Sequence, residues 1–413
     1  MTGSRMAETR LPNGIRVLTE TIPGVRSAAV GVWVKQGSAH ESPEEMGASH
    51  LLEHMVFKGT RTRTPREIAL ALESLGGSLD AYTSREHTSY QARVLDEHLP
   101  EALEILSDIV LNPILRDTDL ELEREVVLEE ISTVDDTPDD LVFERHSQAL
   151  WGDHPYGFSI LGTRDTVGGM KAETLRDIHA RRYRGGRLII AAAGRLEHAD
   201  VVDRVQRLFG ELPETDPEEA RKAPVPSENG DVKVVRDSMQ SHIVFGTATP
   251  PRTDARRYPL ILLSAAFGGG MSSRLFQKVR EELALAYTVY SFQSFYALAG
   301  VSGVYVGTRP DWSDRAVDVI REEFARMARG GLTAEELEQI KSQVKGQVML
   351  SLESTGARLY RLAGFALYDQ PFLTLDELLA VIDGVTWEEA AEAAENFFDP
   401  ERQVLLRLGP DGS

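Results

Sequence analysis

Ser27 to Val34 reads SAAVGVWV, an almost unbroken apolar run that predicts a strand. Upstream, Asn13-Gly14 is a hairpin-type turn pair, and Ile15 to Thr19 predicts the strand leaving it. The period then changes. Glu45 to Lys58 and Pro65 to Leu75 carry apolar residues at helical spacing, and the second of these stops at Gly76-Gly77. Leu79 to Val94 (LDAYTSREHTSYQARV) returns to near alternation with Thr and Tyr and predicts a strand. Leu99 to Leu111 and Asp117 to Thr133 predict helices. With too few helices between some strands for a doubly wound sheet, the expected fold class is α+β, a mostly antiparallel sheet with helices packed on it.

Between Leu212 and Gly230 (LPETDPEEARKAPVPSENG) the periodicity lapses into Pro, Glu, Asp, Lys and Ser, which predicts an interdomain linker near the chain midpoint. The 413 residues also exceed the roughly 250–300 at which single hydrophobic cores stop growing. Two domains are expected, 1–215 and 231–413, joined by a linker at 216–230. The second half restarts with strand patterning in Asp231 to Ala248 and a helix over Tyr258 to Phe267. An offset of 210 sets Leu51 and Phe57 against Ile261 and Phe267, and an offset of 205 sets Ala81-Tyr82-Thr83 against Ala286-Tyr287-Thr288. If this is a duplication, Leu260, Leu263 and Ser264 replace His50, Glu53 and His54, and the second copy lacks their chemistry.

Charge and composition narrow the partners. Lys plus Arg total 45 against 65 Asp plus Glu, a net −20, which argues against nucleic acid or an anionic membrane and favours a neutral or basic ligand. The absence of Cys excludes disulfides, thiolate metal sites and Cys nucleophiles. No apolar run approaches the roughly 18 residues of a membrane span, and Met1 to Gly14 carries no visible targeting signal. A soluble cytoplasmic protein is expected.

His50-Leu51-Leu52-Glu53-His54 lies in an apolar helical run ending Met55-Val56-Phe57. Two imidazoles four residues apart project from one helix face and can share a metal ion, with Glu53 beside them. Imidazole suits zinc, an open coordination position suits hydrolysis, and a neighbouring carboxylate is a natural general base. This His-x-x-Glu-His order inverts the commoner zinc helix, and chance supplies it in about 0.02 chains of such composition. A third ligand is needed. In Glu121 to Ile131 (ELEREVVLEEI), Glu123 and Glu130 are seven residues apart and share a stripe with Val127. Either a metal ligand or a solvated acidic helix is compatible with that stripe.

The His-x-x-Glu-His motif followed after 75 residues by Glu130 resembles the pitrilysin or insulinase family of zinc metallopeptidases, in the branch of the mitochondrial processing peptidase β subunit and its bacterial relatives. The resemblance implies one Zn2+ per chain held by His50, His54 and Glu130, Glu53 as general base, and Glu123 as an additional acidic residue. Gly47, the Leu79 to Tyr90 segment, His154-Pro155-Tyr156-Gly157 and Gly162-Thr163 also match, with Asp80 standing where many relatives carry Asn. In the second half, Ser273-Arg274-Leu275-Phe276, Arg280, Glu281 and Tyr287 are similar to the non-metal domain, and the resemblance implies that Arg280 and Tyr287 hold the substrate and its scissile carbonyl. It further implies a zinc endopeptidase acting on basic or extended peptides, and a homodimer with a shared chamber. The competing expectations are a non-catalytic peptide-binding or scaffold subunit and a zinc hydrolase of some small amide. Gly268-Gly269-Gly270 predicts a flexible turn rather than a phosphate loop, since no Gly-Lys-Ser/Thr follows, and Asp135, Asp136, Asp139 and Asp140 predict a solvated loop.

Overall fold

The computed structural model describes residues 5–215 and 221–411. In the first unit, β1 (Arg5–Arg10), β2 (Arg16–Thr21), β3 (Ser27–Val34), β4 (Ser78–Thr83), β5 (Thr88–Leu95) and β6 (Leu188–Gly194) form one sheet in the order β1-β2-β6-β3-β5-β4. Only β2 and β6 pair in parallel; the remaining pairs are antiparallel. The Asn13-Gly14 turn closes the β1–β2 hairpin, with Gly14 at φ 91°.

The second unit holds β7 (Asp231–Val235), β8 (Ser241–Thr249), β9 (Ala286–Phe295), β10 (Gly300–Thr308) and β11 (Val404–Gly409), in the order β7-β11-β8-β10-β9. Here too there is one parallel pair, β7 with β11, the first and last strands of this unit. Without the added β1, strand order and pairing sense are the same in both sheets. Each has its first helix in the same place, Ala48–Val56 after β3 and Arg257–Gly268 after β8. The topology is therefore used twice, and the 210 offset lands on equivalent helices. The 205 offset does not. Ala81-Tyr82-Thr83 ends β4 beside its hairpin turn, whereas Ala286-Tyr287-Thr288 begins β9 at the strand end away from its turn.

Helices Ala48–Val56 and Leu99–Leu111 cover one face of the first sheet, where Leu51, Leu52, Met55, Leu103 and Leu106 join Val30, Val32 and Tyr90 in the core. On the other face, Leu359, Leu362 and Ala366 of helix Thr355–Leu367 pack with Leu18, Trp33 and Ile189. Covering both faces explains why β3 reads as a continuous apolar run rather than alternating. In the second unit, helix Arg257–Gly268 lies on one face and helix Pro138–Trp151 on the other.

Several sequence expectations need correction. The compact units do not divide at a single point: 132–158 belongs to the second and 351–372 to the first. Each sheet is thus covered by one helix from the opposite half of the chain, because apolar faces, not chain order, decide which sheet a helix covers. Of the expected linker at 216–230, residues 216–220 lie outside the described residues, and 221–230 contain no helix or strand. Leu79 to Val94 is two strands, reversed where the Ser84 backbone N–H and hydroxyl both donate to the His87 carbonyl, at 2.8 and 2.9 Å. Asp139 and Asp140 are not in a loop but in the first turn of helix Pro138–Trp151, where Pro138 presets the helical φ and acidic side chains complement the helix dipole. Gly268 ends its helix against β9, and a Cβ there would lie 2.4 Å from the Ser291 nitrogen, so it serves close packing rather than flexibility.

Candidate metal centre

The helix bearing the motif starts later than its hydrophobic pattern predicts, because Gly47 adopts φ 88° and breaks the run from Glu45. A Cβ at Gly47 would sit 2.6 Å from the Leu161 carbonyl oxygen, and Gly162, at φ 80°, closes the same contact from the other side. Buried Glu41 then accepts the first amides of the helix, from Gly47 at 2.9 Å and Ser49 at 2.7 Å. This satisfies donors that a helix start leaves unpaired. Burial pushes the Glu41 carboxyl up to about 7, although the amides of Ser49 and Gly47 oppose the shift.

From this anchored turn His50 and His54 project side by side, their ring centroids 4.7 Å apart. Helix Asp117–Asp135 brings Glu130 across to them: its carboxylate oxygens lie 3.7 Å from His50 Nε2 and 3.7 Å from His54 Nε2. The three ligand atoms all fall within 4.8 Å of one another, the one such group among the described residues. Tetrahedral zinc with bonds near 2.0–2.1 Å separates its ligand atoms by roughly 3.4 Å, so the set is close to the required spacing. The donor chemistry agrees. His50 is held neutral by burial, with the neighbouring His54 adding to the effect, so that its imidazole titrates only near about 4. Two imidazoles and a carboxylate with no thiolate fit a hydrolytic zinc ion.

Glu53 is 9% exposed and takes a 2.6 Å hydrogen bond from the Thr83 hydroxyl on its Oε2. Burial pushes its carboxyl above the ordinary value, and the Thr83 hydroxyl opposes the shift. Glu123, also buried, reaches His54 Nδ1 at 3.2 Å and the Lys58 ammonium at 2.6 Å. The expected acidic stripe is therefore not a solvated face: Glu123 and Glu130 both turn toward the imidazoles.

The structure also brings Arg280 and Tyr287 together, in the second unit. The π-helical segment Phe276–Glu282 carries Arg280, whose guanidinium lies 4.7 Å from the Phe276 ring centroid and 4.3 Å from that of Tyr287. Tyr287 is 77% exposed, so the pair offers donors to solvent. Arg274 instead anchors the fold, donating to the Gly331 carbonyl at 2.8 Å and to Glu336 at 3.0 Å. His154 accepts the Tyr156 amide at 3.1 Å and Tyr156 is buried, so His-Pro-Tyr-Gly is a structural turn. Asp80 stands exposed on β4, the edge strand.

Comparison with known proteins places the chain. Residues 16–164 match the family described as insulinase (peptidase family M16), and 169–344 match the M16 inactive domain. An uncharacterized zinc protease of Streptomyces coelicolor is 38% identical over 97% of this chain and 89% of its own. The chain belongs to peptidase family M16.

The uncharacterized zinc protease YmxG of Bacillus subtilis is 38% identical to this M16 chain, over 97% of both. A crystal structure described as the peptidase M16 inactive domain from Pseudomonas fluorescens superposes with a TM-score of 0.92 at 20% identity over 98% of both chains, a likeness of fold. These zinc-protease names support a zinc peptidase. Within the M16 chain the second copy of the fold buries Leu260, Leu263 and Ser264 at the places of His50, Glu53 and His54, which accounts for the second unit having no metal group among the described residues. Sequence reasoning passed over Glu41, Lys58 and Thr83. Lys58 had a signal, four residues beyond His54; Glu41 had none, since a loop carboxylate gains its role only when the chain folds back on the helix.

Proposed function

We propose that this protein is a zinc endopeptidase that cleaves basic or extended peptides, with one zinc ion held by His50, His54 and Glu130. The observation that carries the reading is the convergence of those three ligand atoms within 4.8 Å, with the buried carboxylate of Glu53 on the same helix. Zinc bound there supplies Lewis acidity toward water and toward a scissile carbonyl. The protein's own groups do the rest. Thr83 fixes one oxygen of Glu53, and the raised affinity of that carboxylate for protons suits it to take one from the attacking water. Glu53 then returns the proton to the leaving amine. The Arg280 guanidinium and Tyr287 hydroxyl orient the substrate and donate to the carbonyl oxygen as it gains charge.

The deciding experiment replaces Glu53 by Gln and follows both zinc content and cleavage of a basic peptide. The variant is expected to keep its zinc and lose turnover, and wild-type protein to lose turnover in chelator. Near wild-type cleavage by Glu53→Gln overturns the base assignment. Zinc with no peptide cleavage by the wild type, in any assembly, favours a scaffold subunit. The homodimer belongs to the same proposal, one chain offering Arg280 and Tyr287 to peptide bound at the zinc of the other. Mixing exchangeable Glu53→Gln and Arg280→Ala chains is expected to regenerate activity.

A further inference from the structure

The zinc reading leaves Lys58 without a role, yet its ammonium is placed on the carboxylate that hydrogen-bonds a proposed ligand, His54. Lys58 lies four residues beyond His54, just past the end of helix Ala48–Val56, where the amides of Phe57 and Lys58 close on the carbonyls of His54 and Met55. From there its Nζ reaches Oε1 of Glu123 at 2.6 Å, while Oε2 of the same carboxylate lies 3.2 Å from His54 Nδ1. The Glu123 side chain is 8% exposed and that of Lys58 is 35% exposed, so a buried carboxylate is paired with a partly exposed cation.

The direction of the hydrogen bond follows from the chemistry of the groups. A carboxylate accepts only, so His54 must carry a proton on Nδ1, and in the neutral ring this leaves the Nε2 lone pair facing Glu130 at 3.7 Å. That is the tautomer a metal at the His50, His54 and Glu130 group requires, and outer carboxylates commonly set it for ligating histidines. Glu123 alone has a choice, because either of its oxygens can turn to the imidazole or swing away about its side-chain torsions. Lys58 removes that choice by occupying Oε1, so the carboxylate plane is held with Oε2 on His54.

We propose that Lys58 is a positioning residue for the metal: acting through Glu123, it holds His54 in the Nδ1–H tautomer with Nε2 free to ligate. It touches neither the ligand set nor substrate. An ordinary partly exposed ion pair would contribute little to folding and nothing to metal affinity. A positioning role predicts effects on the metal instead, and outer-shell changes of this kind typically weaken metal binding about 10–100-fold.

This inference rests on the zinc reading, and the experiment separates the two. The zinc dissociation constant is measured by competition with a chromophoric chelator for the wild type, Lys58→Met and Lys58→Arg. In parallel, the metal-free proteins are labelled with 15N in histidine, and the His54 ring nitrogens are assigned with a His54→Gln reference. Lys58→Met is expected to bind zinc at least about 10-fold more weakly, with the His54 ring shifts moving from the Nδ1–H form toward an average of both tautomers. Lys58→Arg, which keeps the cation, is expected to restore both readouts. Unchanged zinc affinity in a folded Lys58→Met chain overturns the inference while leaving the zinc reading intact. Should Lys58→Met fail to fold, the wild-type spectrum still decides: His54 protonated on Nε2 in the metal-free chain overturns it. A wild type that binds no zinc refutes the zinc reading itself, whatever tautomer His54 adopts.

Discussion

Gly47 gives the sharpest quantitative handle on how the backbone holds the metal helix. Replacing it by Ala has two separable costs. The residue sits at φ 88°, and an L side chain in the left-handed region costs about 1–2 kcal/mol. The new Cβ would also lie 2.6 Å from the Leu161 carbonyl oxygen and 2.9 Å from Gly162 Cα. Both are backbone atoms that cannot rotate away, so the strand of chain carrying them must shift, at about 1–3 kcal/mol for overpacking of this kind. Two other glycines isolate the terms. Gly76 has φ 70° with nothing within 4 Å, so Gly76→Ala should lose only the conformational part, about 1–2 kcal/mol. Gly168, in helix Arg164–Gly169, has neither a positive φ nor a close neighbour, and Gly168→Ala should gain about 0.5–1 kcal/mol. Melts in chelator, so that metal binding does not mask the differences, should rank the apo proteins Gly168→Ala, wild type, Gly76→Ala, Gly47→Ala. At about 2–4 °C per kcal/mol for a unit of roughly 200 residues, the combined cost of about 2–5 kcal/mol should make Gly47→Ala melt about 4–20 °C below wild type. Zinc affinity should fall for Gly47→Ala alone, because His50 lies three residues along the displaced turn. Equal effects of Gly47→Ala and Gly76→Ala on stability and zinc would refute the close-contact argument.

Three further expectations address other parts of the molecule. Thr83→Val removes the hydroxyl on Glu53 and should lower kcat about 10-fold, the loss of about 1.4 kcal/mol of orientation, with zinc content unchanged; loss of zinc would instead mean that β4 supports the ligands. His146 is fully enclosed with Nε2 3.1 Å from the Val404 carbonyl, and burial pushes its imidazole down to about 4. Its unfolded value lies near 6.5, so the unfolded chain takes up a proton that the folded chain refuses, and stability should drain away as pH falls from about 6.5 to 4, by up to about 3 kcal/mol. Denaturant titrations at several pH values should show a shallower acid loss in His146→Gln, and an identical slope would exclude His146 as its source. The net charge of −20 should make cleavage of cationic peptides weaken as salt is raised while neutral peptides respond little; equal responses would leave the acidity without a part in substrate capture.

Which of these features could be read along the chain depends on the range of the interaction behind them. Helix Leu99–Leu111 and strand β3 lie where the pattern predicts them, because an uninterrupted or 3.6-period apolar pattern is a local consequence of burial. The pairing of His50 with His54 was equally local, since one helical turn sets it. Asn13-Gly14 announced its hairpin because positive φ is a property of the residue itself.

The turn at Ser84 to His87 was not legible in the same way, because both strands it joins share one alternating pattern and only cross-strand bonds reveal the reversal. Nor did composition show that helices Pro138–Trp151 and Thr355–Leu367 each cover the sheet of the opposite half. An apolar face specifies that it will be buried, not against which partner. The site divides along the same line. Residue types and spacing in the sequence determined a candidate metal-binding helix free of thiolate chemistry and a second copy lacking its two histidines and glutamate. Only the tertiary structure decided that Glu130 faces both imidazoles, that Glu123 turns inward between His54 and Lys58, and that Glu41 and Gly47 anchor the first turn. Most of those contacts join residues far apart in the chain, His50 with Glu130 and Gly47 with Leu161 among them, and their energy exists only once the intervening chain has packed.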